Sequence, residues 1–353
     1  MRREPRVAAS RDAAVGAPRI AVLGAGSVGC HLGGMLAAAA EVTLIGRPAA
    51  MAEVERDGLT LTGPGPARRE VRGLTVATGA AAAAAADFVL VTVKSADTRT
   101  AARELAGHLA PGAVVISFQN GLHNPEVLRA ELPGHRVLAG MVPYNVVRSG
   151  PAAVHQGSGG ALMVESAPVA RPFAAAARAG GLRLELRADM PAVQAAKLLM
   201  NLNNAVNALS GLPLREQLGT RAYRACLARC QREALAAFGA AGIAPARLGP
   251  VPPRWTPLLL GLPDALFRRV AAASLRIDAK ARSSMWEDLE RGRPTEIDSL
   301  QGEVIALAAR YGLPAPANTR LAALVREAER AGPGAARRWP GPELLAALDR
   351  GDA

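Results

Sequence analysis

Short apolar runs alternate with helix-like stretches over the first half of the chain. The first run, Ile20–Leu23, leads through a glycine-rich turn into a helical pattern from His31 to Ala40, and a second run comes next at Glu41–Ile45. Two more strands are expected at Phe88–Val93 and Ala113–Phe118, because both are apolar throughout, as strands are when both faces of a parallel sheet are covered. The pattern predicts an α/β domain with a doubly wound sheet.

The pattern changes near residue 190 to long helical periodicities separated by Pro- and Gly-rich connectors. It predicts a second, all-helical domain, with the active site in the cleft between the two domains. The expected division is an extension at 1–17, read as disordered, an α/β domain at 18–189, a helical domain at 190–335 and a C-terminal tail at 336–353 of unassigned role. The expected helices are Val193–Leu209, Leu214–Ala240, Leu258–Leu275, Glu296–Tyr311 and Thr319–Arg330.

Composition narrows the class of protein. With 353 residues, half of them apolar, the chain is long enough for two domains with large buried cores. Three cysteines without a metal-binding pattern predict a reducing compartment and no metal site. We find no apolar window long enough to span a membrane and no secretory signal, so we expect a cytoplasmic protein with no membrane partner. The net charge of +12 comes from scattered arginines with few aromatics, which does not predict nucleic-acid binding.

The glycine-rich turn has the spacing of a dinucleotide-binding loop. In this pattern Gly24 permits the tight turn, Gly26 lets the backbone approach a pyrophosphate, and Gly29 lets the helix pack closely on the strand. Ser27 and Val28 complete the loop at the helix N-terminus, where an anion is favoured.

The end of the second strand indicates which dinucleotide binds. An NAD enzyme usually has a carboxylate here for the ribose 2′-hydroxyl, whereas this chain has Arg47. A guanidinium matches a phosphate dianion, so we expect NADP as the cofactor. Lys94 and Asn120 come after two later strands and are expected at the same ligand-binding edge of the sheet.

A polar stripe lies on the first predicted helix of the second domain. At about 100° per residue, Lys197, Asn201 and Asn204 share one face of a helix whose other residues are mostly apolar. A solvated polar face is the alternative, but a buried lysine needs a partner or a function. The chain has only three lysines among its 42 basic residues, and an ammonium can release a proton whereas a guanidinium effectively cannot.

A second polar segment surrounds Ser284 and Glu296. Thr295 is expected to cap a helix, with Asp298 three residues on as an imperfect capping box. Capping accounts for Thr295 but only partly for Glu296, which in that interpretation merely complements the helix dipole.

Together these motifs resemble the ketopantoate reductases (2-dehydropantoate 2-reductases) over nearly all of residues 19 to 330. The shared motifs, in chain order, are IAVLGAGSVG, VTVK, QNG, KLLMN, SSM and RPTEID. The resemblance implies a Rossmann-type domain, a helical domain and NADPH-dependent reduction of 2-dehydropantoate to (R)-pantoate, a step in pantothenate and coenzyme A synthesis.

The resemblance also implies roles for individual residues. Lys197 is then the general acid, Asn120 holds the ketone oxygen and the nicotinamide, and Ser284 binds the substrate carboxylate. Asn201 and Glu296 bind the substrate hydroxyl, Glu296 being counted with Lys197 in the catalytic pair, while Lys94 and Arg47 bind the cofactor. Lys280 has no assigned role.

One position departs from the family pattern. The family often has a further substrate-binding asparagine eight residues after the catalytic lysine, where this chain has Ala205; Asn204 is a possible substitute. This departure leaves open a reductase of another branched 2-oxo acid. A non-catalytic NADP sensor, which would need the cofactor loop but not the catalytic residues, is a separate alternative. The sequence is compatible with a monomer or a homodimer.

Overall fold

The structure is a computed structural model that describes residues 16–63, 68–270 and 281–350. Most of the predicted N-terminal extension, the end of the predicted helix Leu258–Leu275, and Lys280 lie outside the described residues. The chain divides into two compact units. Unit 1 runs to Gln119 and again from His123 to Met190, and unit 2 contains Asn120–Leu122 and everything from Pro191 onward.

Unit 1 is built on an eight-stranded sheet among the described residues. The strands of this sheet are β1 (Arg19–Leu23), β2 (Glu41–Ile45), β5 (Thr75–Ala77), β6 (Phe88–Val91), β7 (Val114–Ser117), β8 (Arg136–Met141), β11 (Leu162–Glu165) and β12 (Leu184–Arg187). Their order in the sheet is β12-β11-β8-β7-β6-β1-β2-β5, with all pairs parallel except β11 against β8. The central strands β1, β6 and β7 are almost wholly buried, as the apolar pattern predicted.

A second, four-stranded sheet in unit 1 was not predicted. It has the order β4-β3-β10-β9 and consists of β3 (Leu59–Thr62), β4 (Arg68–Val71), β9 (Val146–Gly150) and β10 (Ala153–Gln156). Strand β3 alternates buried and half-buried positions, β4 is mostly exposed, and β9 and β10 are mostly half-buried, so these strands lack the fully buried apolar runs that mark the main sheet. The helices of unit 1 are α1 (Ser27–Leu36), α2 (Pro48–Asp57), α3 (Thr98–Ala106), α4 (Asn124–Glu131) and α5 (Arg171–Ala179).

Unit 2 is helical throughout its described residues. The predicted all-helical region is confirmed, but four expected long helices are interrupted or start later than predicted. Two of the expected helices, Val193–Leu209 and Leu214–Ala240, are each divided into two, the second of them at Thr220. The helix expected from Leu258 is broken after Leu260. The helix expected from Glu296 begins with a short 3₁₀ turn instead. The helices are α6 (Met190–Asn201), α7 (Asn203–Ser210), α8 (Leu214–Gly219), α9 (Arg221–Ala240), α10 (Thr256–Leu260), α11 (Asp264–Val270), α12 (Ser284–Glu290), α13 (Gln301–Arg310), α14 (Pro316–Ala331) and α15 (Gly341–Asp349).

The C-terminal segment packs into unit 2. Helix α15 buries Leu344, Ala347 and Leu348 in the same core as α9 and α14. The hydroxyl of Tyr223 on α9 donates to the Trp339 carbonyl at 2.8 Å, and the Trp339 N–H donates to the Leu209 carbonyl at 2.9 Å. This segment, which had no interpretation at the sequence level, is therefore part of the helical core. No helix among the described residues is long and apolar enough to cross a membrane.

Candidate active site

The glycine-rich turn joins β1 to α1 and takes the conformation that its spacing requires. Gly24 has a φ of +99°, and a Cβ there would lie 2.5 Å from the backbone nitrogen of Val93. A Cβ at Gly29 would lie 2.5 Å from the Gly24 carbonyl oxygen and 2.6 Å from the hydroxyl of Thr92. Both positions therefore exclude any side chain, one by backbone conformation and crowding and the other by the close approach of α1 to the turn.

The surroundings of Gly26 leave room for a ligand. Gly26 is exposed, and a Cβ there would meet nothing nearer than 3.9 Å. It is also the N-cap of α1 and lacks a capping side chain, so the N–H groups that start the helix at Ser27 and Val28 have no intrahelical acceptor. An exposed helix N-terminus with open space before it fits the pyrophosphate of a dinucleotide.

Arg47 lies just beyond β2 and begins α2 as its N-cap. The Ile45 carbonyl accepts the N–H groups of Gly24 and Ala25 at 3.0 and 2.9 Å, which holds the end of β2 against the glycine turn. The Arg47 side chain is exposed, and among the described residues its guanidinium has no hydrogen bond or ion pair. A cation beside the turn is thus available for an anionic ligand.

Lys94 lies beyond β6 in a loop that is tied to the neighbouring loop after β7. The buried side chain of Gln119 connects the two loops. Its amide donates to the Val93 carbonyl at 3.1 Å and to the Thr98 hydroxyl at 2.7 Å. Asn124 extends this network, accepting from Thr98 at 2.7 Å. The sequence analysis included Gln119 in the QNG motif but assigned it no role, although a polar residue directly after a fully apolar strand was a usable signal.

Lys197 and Asn201 lie one turn apart on α6, about 40° from each other around the helix. Lys197 is half-buried, and among the described residues it has no hydrogen bond or ion pair. Desolvation lowers the pKa of its ammonium from 10.5 to about 8. An amine with such a pKa holds a proton at neutral pH and gives it up more readily than an ordinary lysine.

The expected single helix stops just after Asn201. In a continuous helix the Leu199 carbonyl would accept the N–H of Asn203. Here it accepts from the buried side-chain amide of Gln231 on α9 at 3.0 Å. The Leu202 carbonyl at the joint accepts from Gln301, also buried, at 2.9 Å. Side chains from two other helices thus hold the joint, and Asn204 belongs to α7 rather than to the Lys197 helix.

Asn120, Asn201 and Glu296 come together within unit 2. The Asn201 side-chain amide donates to the Asn120 side-chain oxygen at 3.1 Å, and the Asn120 amide donates to the Glu296 carboxylate at 3.0 Å. Three residues separated by up to 176 positions therefore form one hydrogen-bonded row.

Ser284 and Asn204 are linked within unit 2 through Ser283. Ser284 is the first residue of α12, and Ser283 before it is the N-cap, accepting from the Trp286 N–H at 3.2 Å. The Ser283 hydroxyl donates to the Asn204 carbonyl at 3.2 Å, and its N–H donates to Asn207 at 2.9 Å. Within the described parts of the chain, no hydrogen bond joins Ser284 to the row of Asn120, Asn201 and Glu296. The structure therefore places the candidate substrate-binding residues in two separate groups: Asn120, Asn201 and Glu296 form one, and Ser284 and Asn204 belong to the other.

The prediction that Thr295 caps a helix, with Asp298 completing a capping box, was wrong on both points. The Thr295 hydroxyl accepts the Ile297 N–H at 3.2 Å, but the next residues form a 3₁₀ turn, and α13 begins only at Gln301. The Thr295 N–H donates to Glu329 at 2.8 Å, while Asp298 forms an ion pair with Arg326. In a capping box the Asp298 carboxylate would accept the Thr295 N–H. Here Glu329, 34 positions away from Thr295, accepts it instead.

The three cysteines and His31 are buried side chains. Cys30, Cys226 and Cys230 are free and buried, and burial raises the pKa of all three thiols. His31 on α1 packs edge-on against Tyr144, and burial lowers its pKa to about 4. The described residues contain no group of three or more His, Cys, Asp or Glu placed to hold a metal ion.

Comparisons with known families cover both units. The family model for ketopantoate reductase PanE/ApbA matches residues 20–168, and the model for its C-terminal region matches residues 189–329. A 2-dehydropantoate 2-reductase of Halobacterium salinarum is 32% identical over 323 residues, which is 89% of this chain and 100% of that protein. One from Archaeoglobus fulgidus is 28% identical over 324 residues, covering 88% and 98%.

Solved structures agree on the fold. A PanE/ApbA family ketopantoate reductase from Ralstonia eutropha aligns with a TM-score of 0.77 at 32% identity, covering 88% of this chain and 98% of that one. D-mandelate dehydrogenase, solved with NADH and anilino(oxo)acetate, aligns with a TM-score of 0.74 over 89% of this chain and 99% of its own, but at 19% identity it shows the fold alone. On the family matches and the 32% identical relative, this chain belongs to the ketopantoate reductase family.

Proposed function

We propose that this protein reduces 2-dehydropantoate to (R)-pantoate with NADPH, in pantothenate and hence coenzyme A synthesis. The observation that carries the proposal is the hydrogen-bonded row Asn201–Asn120–Glu296, in which Asn201 lies on the same helix as Lys197, whose pKa is about 8. The names of the relatives, which are 2-dehydropantoate 2-reductases, support the same substrate.

Reduction of a ketone needs a proton donor beside the ketone oxygen. When bound, the reduced nicotinamide supplies a hydride to the ketone carbon. Negative charge then develops on the ketone oxygen, and the proton on Nζ of Lys197 goes to that oxygen to complete the alcohol. Asn120 holds the same oxygen by its amide.

The remaining substrate groups match the remaining polar residues. Glu296 and Asn201 bind the 4-hydroxyl of the substrate, Glu296 as acceptor for its O–H. The Ser284 hydroxyl donates to the carboxylate. Ala205 is fully buried in the helical core, so it offers no surface to a substrate, whereas Asn204 is half-buried and is the accessible polar residue of this stretch.

The cofactor is assigned to unit 1. The backbone N–H groups of Ser27 and Val28 at the start of α1 bind the pyrophosphate, and Gly24, Gly26 and Gly29 shape the turn that lets it approach them. The guanidinium of Arg47, which has no hydrogen bond or ion pair within the described part of the chain, is the basis for preferring the 2′-phosphate of NADPH. Lys94 adds a second cation.

The decisive experiment monitors NADPH oxidation by the purified protein with 2-dehydropantoate, beside NADH as the cofactor and beside 2-oxoisovalerate, which lacks the hydroxymethyl group. NADPH-selective turnover that requires the hydroxyl supports the proposal. Equal turnover of both acids assigns a broader 2-oxo acid reductase instead. Tight NADPH binding without turnover of either acid overturns the enzymatic assignment and leaves a sensor.

A further inference from the structure

We propose that Glu303 is a positioning residue: its carboxylate anchors the turn that carries Asn120. Neither the sequence motifs nor the roles proposed above include it. The anchor itself rests on contacts within unit 2. Its effect on turnover rests on the proposed reductase function.

The anchor is a hydrogen bond from backbone to carboxylate. The Leu122 N–H donates to Oε2 of Glu303, near the start of α13, at 2.5 Å. A bond from an N–H to an ionised carboxylate is about twice as strong as one between neutral groups. The turn is therefore attached to α13 at a residue two positions after Asn120.

Gly121, between Asn120 and Leu122, makes room for the carboxylate. It has a φ of +93°, and a Cβ there would lie 2.7 Å from Oε1 of Glu303 and 3.1 Å from the Ser299 carbonyl oxygen. The backbone of the turn thus lies directly against the carboxylate and the chain before α13. This close approach is possible only because residue 121 has no side chain.

A second contact holds the other side of the same peptide group. The side-chain amide of Gln194 on α6 donates to the Gly121 carbonyl at 3.4 Å. Gln194 lies one turn before Lys197 on that helix and is mostly buried. The turn is thus held between α6 and α13, the Glu303 bond being the shorter of the two.

The consequence concerns the amide of Asn120. Asn201 and Glu296 determine how this amide is rotated, but they do not fix the backbone from which it extends. The next residue is a glycine, which gives the turn wide conformational freedom. Glu303 removes that freedom, so Asn120 keeps its place relative to Lys197 on α6. An error of about 1 Å in such a place can cost about 100-fold in rate.

The test compares Glu303→Ala with Glu303→Gln, which keeps an oxygen that can accept the Leu122 N–H. We expect Glu303→Ala to lower kcat for 2-dehydropantoate about 10- to 100-fold while the Kd for NADPH changes less than about twofold. Glu303→Gln should restore kcat to within about fivefold of the wild type. Glu327→Ala serves as the matched control, because Glu327 is an exposed carboxylate on α14 that pairs with Arg320 at 3.8 Å.

A second readout does not depend on activity. Hydrogen exchange of the peptide that contains Leu122 should accelerate in Glu303→Ala and remain near the wild-type rate in Glu303→Gln and Glu327→Ala. Unchanged exchange in Glu303→Ala overturns the anchor. Accelerated exchange with unchanged kcat overturns its role in turnover. Should the wild type reduce no 2-oxo acid, the proposed function fails by itself, while the exchange measurement still decides the anchor.

Discussion

The side-chain amide of Asn201 donates to the side-chain oxygen of Asn120 at 3.1 Å, which determines the direction in which the Asn120 amide faces. With its oxygen engaged by a donor, Asn120 presents its NH₂ group to the Glu296 carboxylate at 3.0 Å. A carboxylate accepts only, so the opposite orientation would place two acceptors together. The row is therefore oriented before a substrate arrives, and such preorganised donors need no reorganisation during the reaction.

Reversing the donor at residue 201 should disrupt this row. We expect Asn201→Ala to lower kcat/KM for 2-dehydropantoate about tenfold through the lost hydrogen bond. Asn201→Asp should lower it about 100-fold, because an ionised carboxylate would face the Asn120 oxygen and favour rotation of that amide. Steady-state kinetics of the two variants measure the difference.

The chain provides a matched control two residues away. Asn203 is buried to the same degree as Asn201, but its amide pairs with Gln217 at 3.1 Å in both directions. Asn203→Ala should lower the free energy of unfolding by about 1–3 kcal/mol by leaving Gln217 unpaired, yet keep kcat/KM within about threefold. Equal loss of kcat/KM in the Asn203 and Asn201 variants would contradict a special role for Asn201.

Lys197 should give the reaction a pH dependence. Burial favours the neutral amine and lowers its pKa to about 8, so the protonated donor predominates below that pH. We expect kcat for reduction to be level below about pH 8 and to fall about tenfold per pH unit above it. Lys197→Ala should abolish turnover and leave NADPH binding nearly intact.

The variant Lys197→Arg tests whether proton release by residue 197 causes this pH dependence. Lys197→Arg keeps a positive charge, but a guanidinium effectively never releases its proton. Its residual kcat should therefore be low and flat across the pH range where the wild type declines. A declining limb that survives in Lys197→Arg would assign the titration to another group.

Local patterns were sufficient for the four strands β1, β2, β6 and β7 of the main sheet and for the glycine turn, because apolar runs and glycine spacing act on residues close together in sequence. The other four strands of that sheet, β5, β8, β11 and β12, were not predicted. The spacing of Lys197 and Asn201 likewise sets their angle on α6 before any tertiary contact. The row was not predictable in this way, since Asn120 and Asn201 are 81 positions apart. The exposed strand β4 lacked the apolar signal, and the joint after α6 depends on side chains from α9 and α13.

That joint offers a test of its own. Gln231 on α9 supplies the donor to the Leu199 carbonyl, in place of the N–H of Asn203. Gln231→Leu should lower the free energy of unfolding by about 1–3 kcal/mol, because a buried carbonyl loses its partner or the two helices must rearrange. It should also lower kcat, since Asn201 forms the last residue of α6. Urea unfolding and steady-state kinetics give the two quantities.

Tyr223→Phe is the control for Gln231→Leu. Tyr223 lies on the same helix, is buried, and donates to the backbone carbonyl of Trp339 at 2.8 Å. Its loss should destabilise the protein by a similar amount without lowering kcat, because that bond holds the C-terminal segment rather than α6. If both variants lose activity in proportion to stability, the joint has no separate effect on the site.

Arg47 should set the preference between the two nicotinamide cofactors. Its guanidinium is exposed beside the glycine turn and has no hydrogen bond or ion pair among the described residues, so nothing competes with an incoming phosphate. Arg47→Ala should reduce the NADPH-over-NADH ratio of kcat/KM about tenfold, through NADPH alone, because NADH lacks the 2′-phosphate. Arg56 is the control: it lies on the same helix α2 but pairs with Asp57 at 2.7 Å, so Arg56→Ala should leave the ratio unchanged. A ratio unchanged by Arg47→Ala would place the 2′-phosphate elsewhere, with Lys94 as the next cation to test.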